Sequence, residues 1–186
     1  MDGEKSIVAR WRDCAGQSLE HLVLREGADA IFAESAILGS ADEDPFAAWY
    51  RIVCDRAWRV RSATVGLIGD ARRIEVEGDG AGYWRDGVGT PLPQLEGAID
   101  IDISVTPFTN TLPIRRLRLK EGQSADIVTV YVELPELTLT TDPQRYTCLE
   151  RGRYRYESLD SDFVREIEVD GHGLVVVYPG LFRRLL

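Results

Sequence analysis

Apolar and polar residues alternate strictly in several short segments of the chain. The clearest alternating runs are residues 73–77, 99–105 and 127–134. A period of two predicts β-strands with one apolar face. In the second run, Ile101 and Ile103 share the apolar face, while Asp100 and Asp102 share the polar one. Further β-rich runs cover residues 6–14, 30–38, 58–68, 137–141, 145–150, 153–158, 163–169 and 174–178.

Two segments are ambiguous between helix and strand. Phe46–Asp55 follows Asp44-Pro45, a pair that suits the start of a helix, yet its apolar residues also alternate. Ser18–Arg25 is similarly mixed. We predict a strand for each.

Turn-forming residues separate the predicted strands at close, fairly regular intervals. This spacing favours a sandwich or barrel over alternating strands and helices. More than about ten strands in 186 residues favour a strongly curved antiparallel sheet, in a single domain that spans residues 1–186. The longest predicted loop is the Gly/Pro-rich segment 87–97. The shorter turns are predicted at Ala15-Gly16, Gly69-Asp70, Gly78–Gly80, Leu134-Pro135, Asp142-Pro143, Arg151-Gly152, Ser158–Asp162 and Asp170–Gly173.

One segment departs from the β pattern. Residues 106–117 read TPFTNTLPIRRL, and we call them the signature segment. Pro113 suits the first turn of a helix, where its missing N–H costs nothing. Ile114 and Leu117 then lie three residues apart on one helical face. The segment therefore predicts one short helix near residues 109–119.

Composition indicates an ordinary globular protein. The chain is 44% hydrophobic and 28% charged, and no stretch approaches the roughly 18 uncharged apolar residues of a membrane span. The first residues, MDGEKSIVARWRD, lack the apolar core of a signal peptide. We therefore expect a cytoplasmic protein with no integral membrane segment.

The net charge of −9 argues against nucleic acid and anionic membranes as partners. A local exception is the basic cluster of Arg115, Arg116, Arg118 and Lys120, which is typical of a solvated face. Three cysteines and two histidines lie too far apart to suggest a disulfide framework or a metal site. We predict neither metal nor cofactor, and the sequence does not identify a catalytic residue.

Asp100 and Asp102 carry the most distinctive candidate chemistry. Their Cα atoms should lie about 6.6 Å apart on one face of a strand. Paired carboxylates near this separation can act as acid and base on a glycosidic bond. Alternatively, they simply form the solvated face of the strand, or bridge to Arg115 or Arg116 and fix the helix on the sheet.

Polar residues of the signature segment extend this candidate site. Hydroxyl, amide and carboxylate groups can bind a polyhydroxylated headgroup, and arginine pairs with carboxylate or phosphate. The candidate ligand-binding residues from these two segments are Asp100, Asp102, Thr106, Thr109, Asn110, Arg115 and Arg116.

The strand AIDIDISV followed by TPFTNTLPIRRL resembles the hallmark of the bacterial putative glycolipid-binding family, formerly described as a domain of unknown function. Matching pieces continue along nearly all of the chain. They are Cys54-Asp55 before Trp58 and Arg61, Gly82–Trp84, Gln144–Thr147 and Val177–Phe182.

This resemblance implies a β-rich half-barrel or clam-like fold similar to bacterial lipoprotein-localisation factors, which bind acyl chains in an apolar cavity. The implied ligand is a glycolipid or another amphiphilic small molecule, bound in an apolar cavity with a polar rim. Trp58 and Tyr146 lie in matching pieces, and we add them to the candidate ligand-binding residues. Two alternatives stay open: a structural or partner-binding protein without a small ligand, and a hydrolase of glycoconjugates that uses Asp100 and Asp102.

Overall fold

The computed structural model describes residues 5–41 and 44–186, so the first four residues of the segment considered for a signal peptide lie outside the described residues. The described residues form one sheet of 14 strands. The strands are β1 (Lys5–Asp13), β2 (Leu19–Glu26), β3 (Ala30–Ala41), β4 (Asp44–Asp55), β5 (Val60–Leu67), β6 (Arg73–Gly78), β7 (Trp84–Asp86), β8 (Asp100–Ile103), β9 (Ser124–Glu133), β10 (Thr138–Glu150), β11 (Arg153–Ser158), β12 (Val164–Val169), β13 (Val175–Tyr178) and β14 (Phe182–Arg184).

The alternating pattern forms strands because each apolar face is buried. In β8, Ile101 and Ile103 are buried, and they lie beside Val130 and Val132 of β9 in the register of the two strands. Both ambiguous segments are strands, β2 and β4, as predicted. The side-chain period of two, rather than the helix-like start at Asp44-Pro45, therefore decides the structure of residues 44–55.

The strand order is β7-β6-β5-β4-β3-β2-β1-β14-β13-β12-β11-β10-β9-β8. Neighbouring strands are antiparallel, except that β8 runs parallel to β9. The prediction of a mainly β, strongly curved and largely antiparallel sheet is confirmed, and the sheet is not closed into a barrel. Its two edge strands are linked by a side chain, since Trp84 Nε1 of β7 donates to Ala98 O, just before β8, at 2.7 Å.

The turn predicted at Asp142-Pro143 is wrong. The runs at 137–141 and 145–150 form the single strand β10, which continues through the proline. The Pro143 carbonyl accepts a hydrogen bond from Leu159 N, so the side of the proline that lacks an N–H faces the end of β11. The β10–β11 register begins only at Gln144, so the missing N–H lies beyond the last pair of that ladder, and the β9–β10 ladder continues through Pro143 opposite Val128.

The predicted short helix is confirmed. A 3₁₀ turn at Phe108–Asn110 leads into α1 (Thr111–Leu117), and another 3₁₀ turn lies at Pro93–Leu95 in the long loop before β8. Pro113 is the third helical residue rather than the first, still within the turn whose N–H groups have no intrahelical partner. Arg118 ends α1 in a left-handed conformation, with φ of 50°.

Two hydrophobic clusters form the core, and α1 contributes to both. The larger cluster holds Leu112 of α1 together with apolar side chains of β1 to β9. The smaller one holds Ile114 with Tyr146, Tyr156 and Tyr178. The signature segment is thus packed between the two clusters and positions the polar groups described next.

Candidate ligand-binding site

The signature segment folds back onto the polar face of β8. Arg116 of α1 contacts Asp100, and Thr109 of the 3₁₀ turn contacts Asp102. This face is therefore covered by protein instead of forming the solvated side of a strand. Each of the two aspartates has a different environment.

Asp100 is a buried partner of Arg116. Its side chain has no exposed surface, and both of its oxygens accept bonds from the guanidinium, at 2.9 Å and 2.5 Å for the shortest contacts. Burial raises the pKa of the Asp100 carboxyl, and Arg116 acts against this shift. This pair matches the alternative in which an aspartate bridges to an arginine and fixes the helix on the sheet.

Asp102 lies in a hydrogen-bonded group with Thr109, Gln144 and Asp142. Its Oδ1 accepts from Thr109 Oγ1 at 2.7 Å, and its Oδ2 accepts from Gln144 Nε2 at 2.7 Å. The same Gln144 nitrogen donates to Asp142 Oδ2, also at 2.7 Å, so the two carboxylate oxygens are at most twice that distance apart. Burial raises the pKa of both carboxyls, and the charge of Asp142 raises that of Asp102 further.

A pocket of about 250 Å³ opens beside these two carboxylates, and we call it the Asp102 pocket. Its lining combines carboxylate, hydroxyl and aromatic groups from the signature segment and from the β8–β14 part of the sheet. The lining residues are Asp102, Ile103, Ser104, Thr106, Asn110, Tyr131, Asp142, Tyr156, Ser158, Ser161, Phe163, Tyr178, Leu181 and Phe182.

Aromatic rings form one wall of the Asp102 pocket. Tyr156 packs edge-on against Phe163 and Tyr178, with centroid distances of 5.9 Å and 6.4 Å, and Tyr178 meets Phe182 at 6.4 Å. Burial raises the pKa of Tyr131 to about 12, and the charges of Asp102 and Asp142 contribute to that increase. The tyrosines therefore stay neutral and can offer hydroxyl groups and ring faces.

Thr106 connects the signature segment to β2. Its hydroxyl donates to Glu20 of β2 at 2.6 Å and accepts from the Phe108 N–H at 3.0 Å. Glu20 is 2% exposed, and it also accepts bonds from Ser35 and Tyr50, both at 2.7 Å. Burial raises the pKa of Glu20 to about 6, although these three hydroxyls act in the opposite direction.

Asn110 and Tyr146 bond to each other. The Tyr146 hydroxyl donates to Asn110 Oδ1 at 2.9 Å, and Asn110 Nδ2 donates to Pro107 O at 3.2 Å. Because Tyr146 is 1% exposed, it supports Asn110 from within the core rather than facing the pocket.

Arg115 and Trp58 form another pair, away from the Asp102 pocket. The guanidinium lies over the indole ring, 4.6 Å from its centroid, and donates to His172 O at 2.9 Å. The indole itself is buried.

The nine candidate residues therefore divide into three groups. Asp102, Thr106 and Asn110 line the Asp102 pocket. Thr109 and Tyr146 hold Asp102 and Asn110 in place. The pairs Asp100–Arg116 and Arg115–Trp58 contact each other outside the pocket.

Sequence reasoning missed Glu20, Asp142 and Gln144. Glu20 shares a strand face with the buried residues Leu22 and Leu24, and an acid in such a position is the signal that could have revealed it. The Asp-Pro pair predicts a turn and so does not point to Asp142, although Asp142, Gln144 and Tyr146 share one face of β10.

Within residues 5–41 and 44–186, no group of three or more His, Cys, Asp or Glu side chains is placed to hold a metal ion. In the same part of the chain, no helix is long and apolar enough to cross a membrane.

Comparison with known proteins identifies the family. The family described as "Putative glycolipid-binding" matches residues 8–184. The crystal structure of a DUF1089 family protein from Pseudomonas aeruginosa is similar, with a TM-score of 0.83 and 41% sequence identity over 91% of this chain and 92% of that chain. No curated protein matches the chain. Because the match spans almost the whole sequence, the chain belongs to the family described as "Putative glycolipid-binding".

Proposed function

We propose that the Asp102 pocket binds the saccharide headgroup of a glycolipid or a similar amphiphilic small molecule. The observation that carries this proposal is the combination of carboxylate oxygens and aromatic rings around one pocket. Carboxylates accept hydrogen bonds from sugar hydroxyls, and aromatic rings cover the apolar face of a sugar ring. Membership of the family supports the same ligand class.

The polar lining would fix the orientation of the headgroup. Asp102 and Asp142 would accept bonds from ligand hydroxyls, while the hydroxyl of Ser104 and the amide of Asn110 would add uncharged polar contacts. Thr109 and Tyr146 would act indirectly, since they hold Asp102 and Asn110. A site of this kind is preorganised, which reduces the entropy lost on binding.

The apolar part of the ligand would leave the pocket over its partly exposed apolar lining, Phe163, Leu181 and Phe182. The aliphatic side chains of β8 and β9 are not part of this proposed path, since Ile101, Ile103, Val130 and Val132 lie in the larger core cluster. An apolar cavity enclosed by the sheet stays a prediction.

The proposal can be tested by titrating the protein with monomeric octyl glucoside, followed by calorimetry or by NMR shifts. Replacing Asp142 with Ala should weaken binding about tenfold or more, because it removes a charged hydrogen-bond acceptor. Asp126→Ala is the matched control, since Asp126 is an exposed carboxylate outside the pocket that pairs with Arg145. Equal binding by the two variants would contradict the proposed site, provided that both retain the native near-UV circular dichroism.

A second candidate role is supported by the bonding of the signature segment itself. Thr106, Thr109 and Arg116 bond to Glu20, Asp102 and Asp100, so the segment, which includes α1, joins β2 to β8. We propose that it is also a structural clasp. A hydrolase that uses Asp100 and Asp102 together is not supported, because Asp100 has no surface to offer a substrate.

A further inference from the structure

The two carboxylates of the Asp102 pocket have no cationic partner. Among the described residues, no arginine, lysine or histidine nitrogen lies within 4.0 Å of an oxygen of Asp102 or Asp142. Asp100, by contrast, is neutralised by Arg116 on the same strand face. The charge of Asp160 adds to the negative field at Asp142. Burying carboxylates without a cationic partner costs free energy, and this cost raises the pKa of both carboxyls.

Arg165 carries a positive charge near the aromatic wall, but it does not supply the missing partner. Its guanidinium lies over the outer aromatic Phe163, 4.5 Å from the ring centroid. It also donates to its neighbour Val164 O at 2.7 Å. Its charge is thus held by contacts other than the two carboxylates.

Gln144 joins the two carboxyl groups of the pocket. Its amide nitrogen lies between Asp102 and Asp142 and donates to an oxygen of each at 2.7 Å. The residue is 1% exposed, and its Oε1 has no hydrogen-bond donor. A buried amide oxygen without a donor destabilises the protein. The Asp102–Gln144–Asp142 group therefore places carboxyl oxygens beside the pocket and leaves one amide acceptor without a donor.

We propose that the headgroup bound in the Asp102 pocket carries a protonated primary amine, placed between Asp102 and Asp142 and bordered by the tyrosine rings. This inference rests on the function proposed above and specifies its ligand. An ammonium group brings three donors and one positive charge to two neighbouring carboxyl groups, and its charge favours their ionised form. Aromatic ring faces next to it add a cation–π attraction. A neutral sugar would satisfy the acceptors but leave the charges unbalanced.

Ligands that differ at one position test the inference. The full chain is titrated with octyl glucoside, its 2-amino-2-deoxy analogue and the N-acetylated form of that analogue, at a pH where the amine is protonated. We expect the amine to bind about tenfold or more tightly than either neutral ligand, which corresponds to about 1.4 kcal/mol. Titration with ethanolamine and with O-phosphoethanolamine shows whether an amino sugar or an ethanolamine headgroup is the better source of the ammonium.

Isosteric variants assign the preference to the pocket. Asp102→Asn and Asp142→Asn keep the shape of each side chain, and each should reduce the ratio of the amine affinity to the neutral-sugar affinity several-fold. Asp126→Asn removes an exposed carboxylate elsewhere and should leave the preference unchanged. The preference of the wild type should also fall as salt is added.

The outcomes separate this inference from the proposed function. Equal affinity for amine and neutral sugar would overturn the amine inference and leave saccharide binding intact. A preference that persists in both pocket variants would also overturn it. Failure of every sugar ligand to bind would overturn the proposed function and the inference together.

Discussion

The pKa of Glu20 is set more by the burial of its carboxyl group than by its identity as a glutamate. Its carboxylate lies on the apolar face of β2, and three hydroxyl groups bond to it without any positive charge. Burial raises its pKa from 4.5 to about 6, so the folded protein holds a proton that the unfolded chain releases. The stability contributed by this proton is present below pH 4.5 and is lost as pH rises through 6.

Replacing Glu20 with Gln removes this titration. As the pH rises from 4.5 to 7, the free energy of unfolding of the wild type should fall by about 2 kcal/mol relative to that of the variant. Urea unfolding at several pH values measures this difference. Glu34→Gln is a control of opposite sign, because bonding to Arg25 lowers the pKa of Glu34. A difference between wild type and Glu20→Gln that does not vary with pH would rule out this account.

The Asp100–Arg116 pair differs from Glu20 because the buried carboxylate has a positively charged partner. Arg116→Ala would leave the Asp100 carboxylate buried and unpaired, and we expect a loss of about 3 kcal/mol in the free energy of unfolding. Arg145→Ala breaks the exposed pair with Asp126 and should change the free energy of unfolding far less, because solvent screens that pair. Adding Asp100→Asn to Arg116→Ala should restore part of the loss in chemical denaturation. Equal losses for the two arginine variants would contradict a buried role for Asp100.

At the scale of elements, a close contact between two loops sets the position of β8. Gly82, before β7, has φ of 104°, and its carbonyl accepts from the Gly97 N–H at 2.9 Å. A Cβ at Gly82 would lie 2.9 Å from Gly97 Cα, a backbone atom that cannot rotate away. The long loop before β8 is thus held against the turn between β6 and β7.

Gly82→Ala should destabilise the protein by more than the roughly 1 kcal/mol expected for a left-handed backbone alone. Gly89→Ala is matched to it, since Gly89 has φ of 90° but a Cβ there would have no atom within 4 Å. Thermal unfolding of the two variants separates conformational strain from the steric clash. If both melted at the same temperature, the contact with Gly97 would not position β8.

Strands were predictable where the alternation of side chains was enough to define them. The period of two identified β8 and β9, and it outweighed the helix-like start of β4. The pattern failed at Asp142-Pro143 because a proline is harmless in a strand when no ladder bond is required from its nitrogen. Local residue type alone does not reveal which neighbours a strand will have.

At the scale of the whole molecule, the curved sheet and the short helix were predictable, whereas the parallel pairing of β8 with β9 was not. The polar face of β8 also differed from expectation, because the signature segment folds over it. The pocket arises from residues of β8, β10 and β11 that are distant in sequence. Such a juxtaposition depends on strand order, which alternation does not encode. The single-domain organisation stays a prediction.

The central position of β14 has a consequence for the order of folding. This strand of three residues joins β1 to β13, and it pairs Arg184 with Trp11. Every other ladder connects strands that follow each other along the chain, and all of these except the parallel β8–β9 pair are hairpins that can form locally. Closing the β1–β14 ladder requires nearly the full length of the chain to be ordered, which makes it entropically expensive and slow. We therefore expect two preformed groups of hairpins to meet at this seam in the last step of folding.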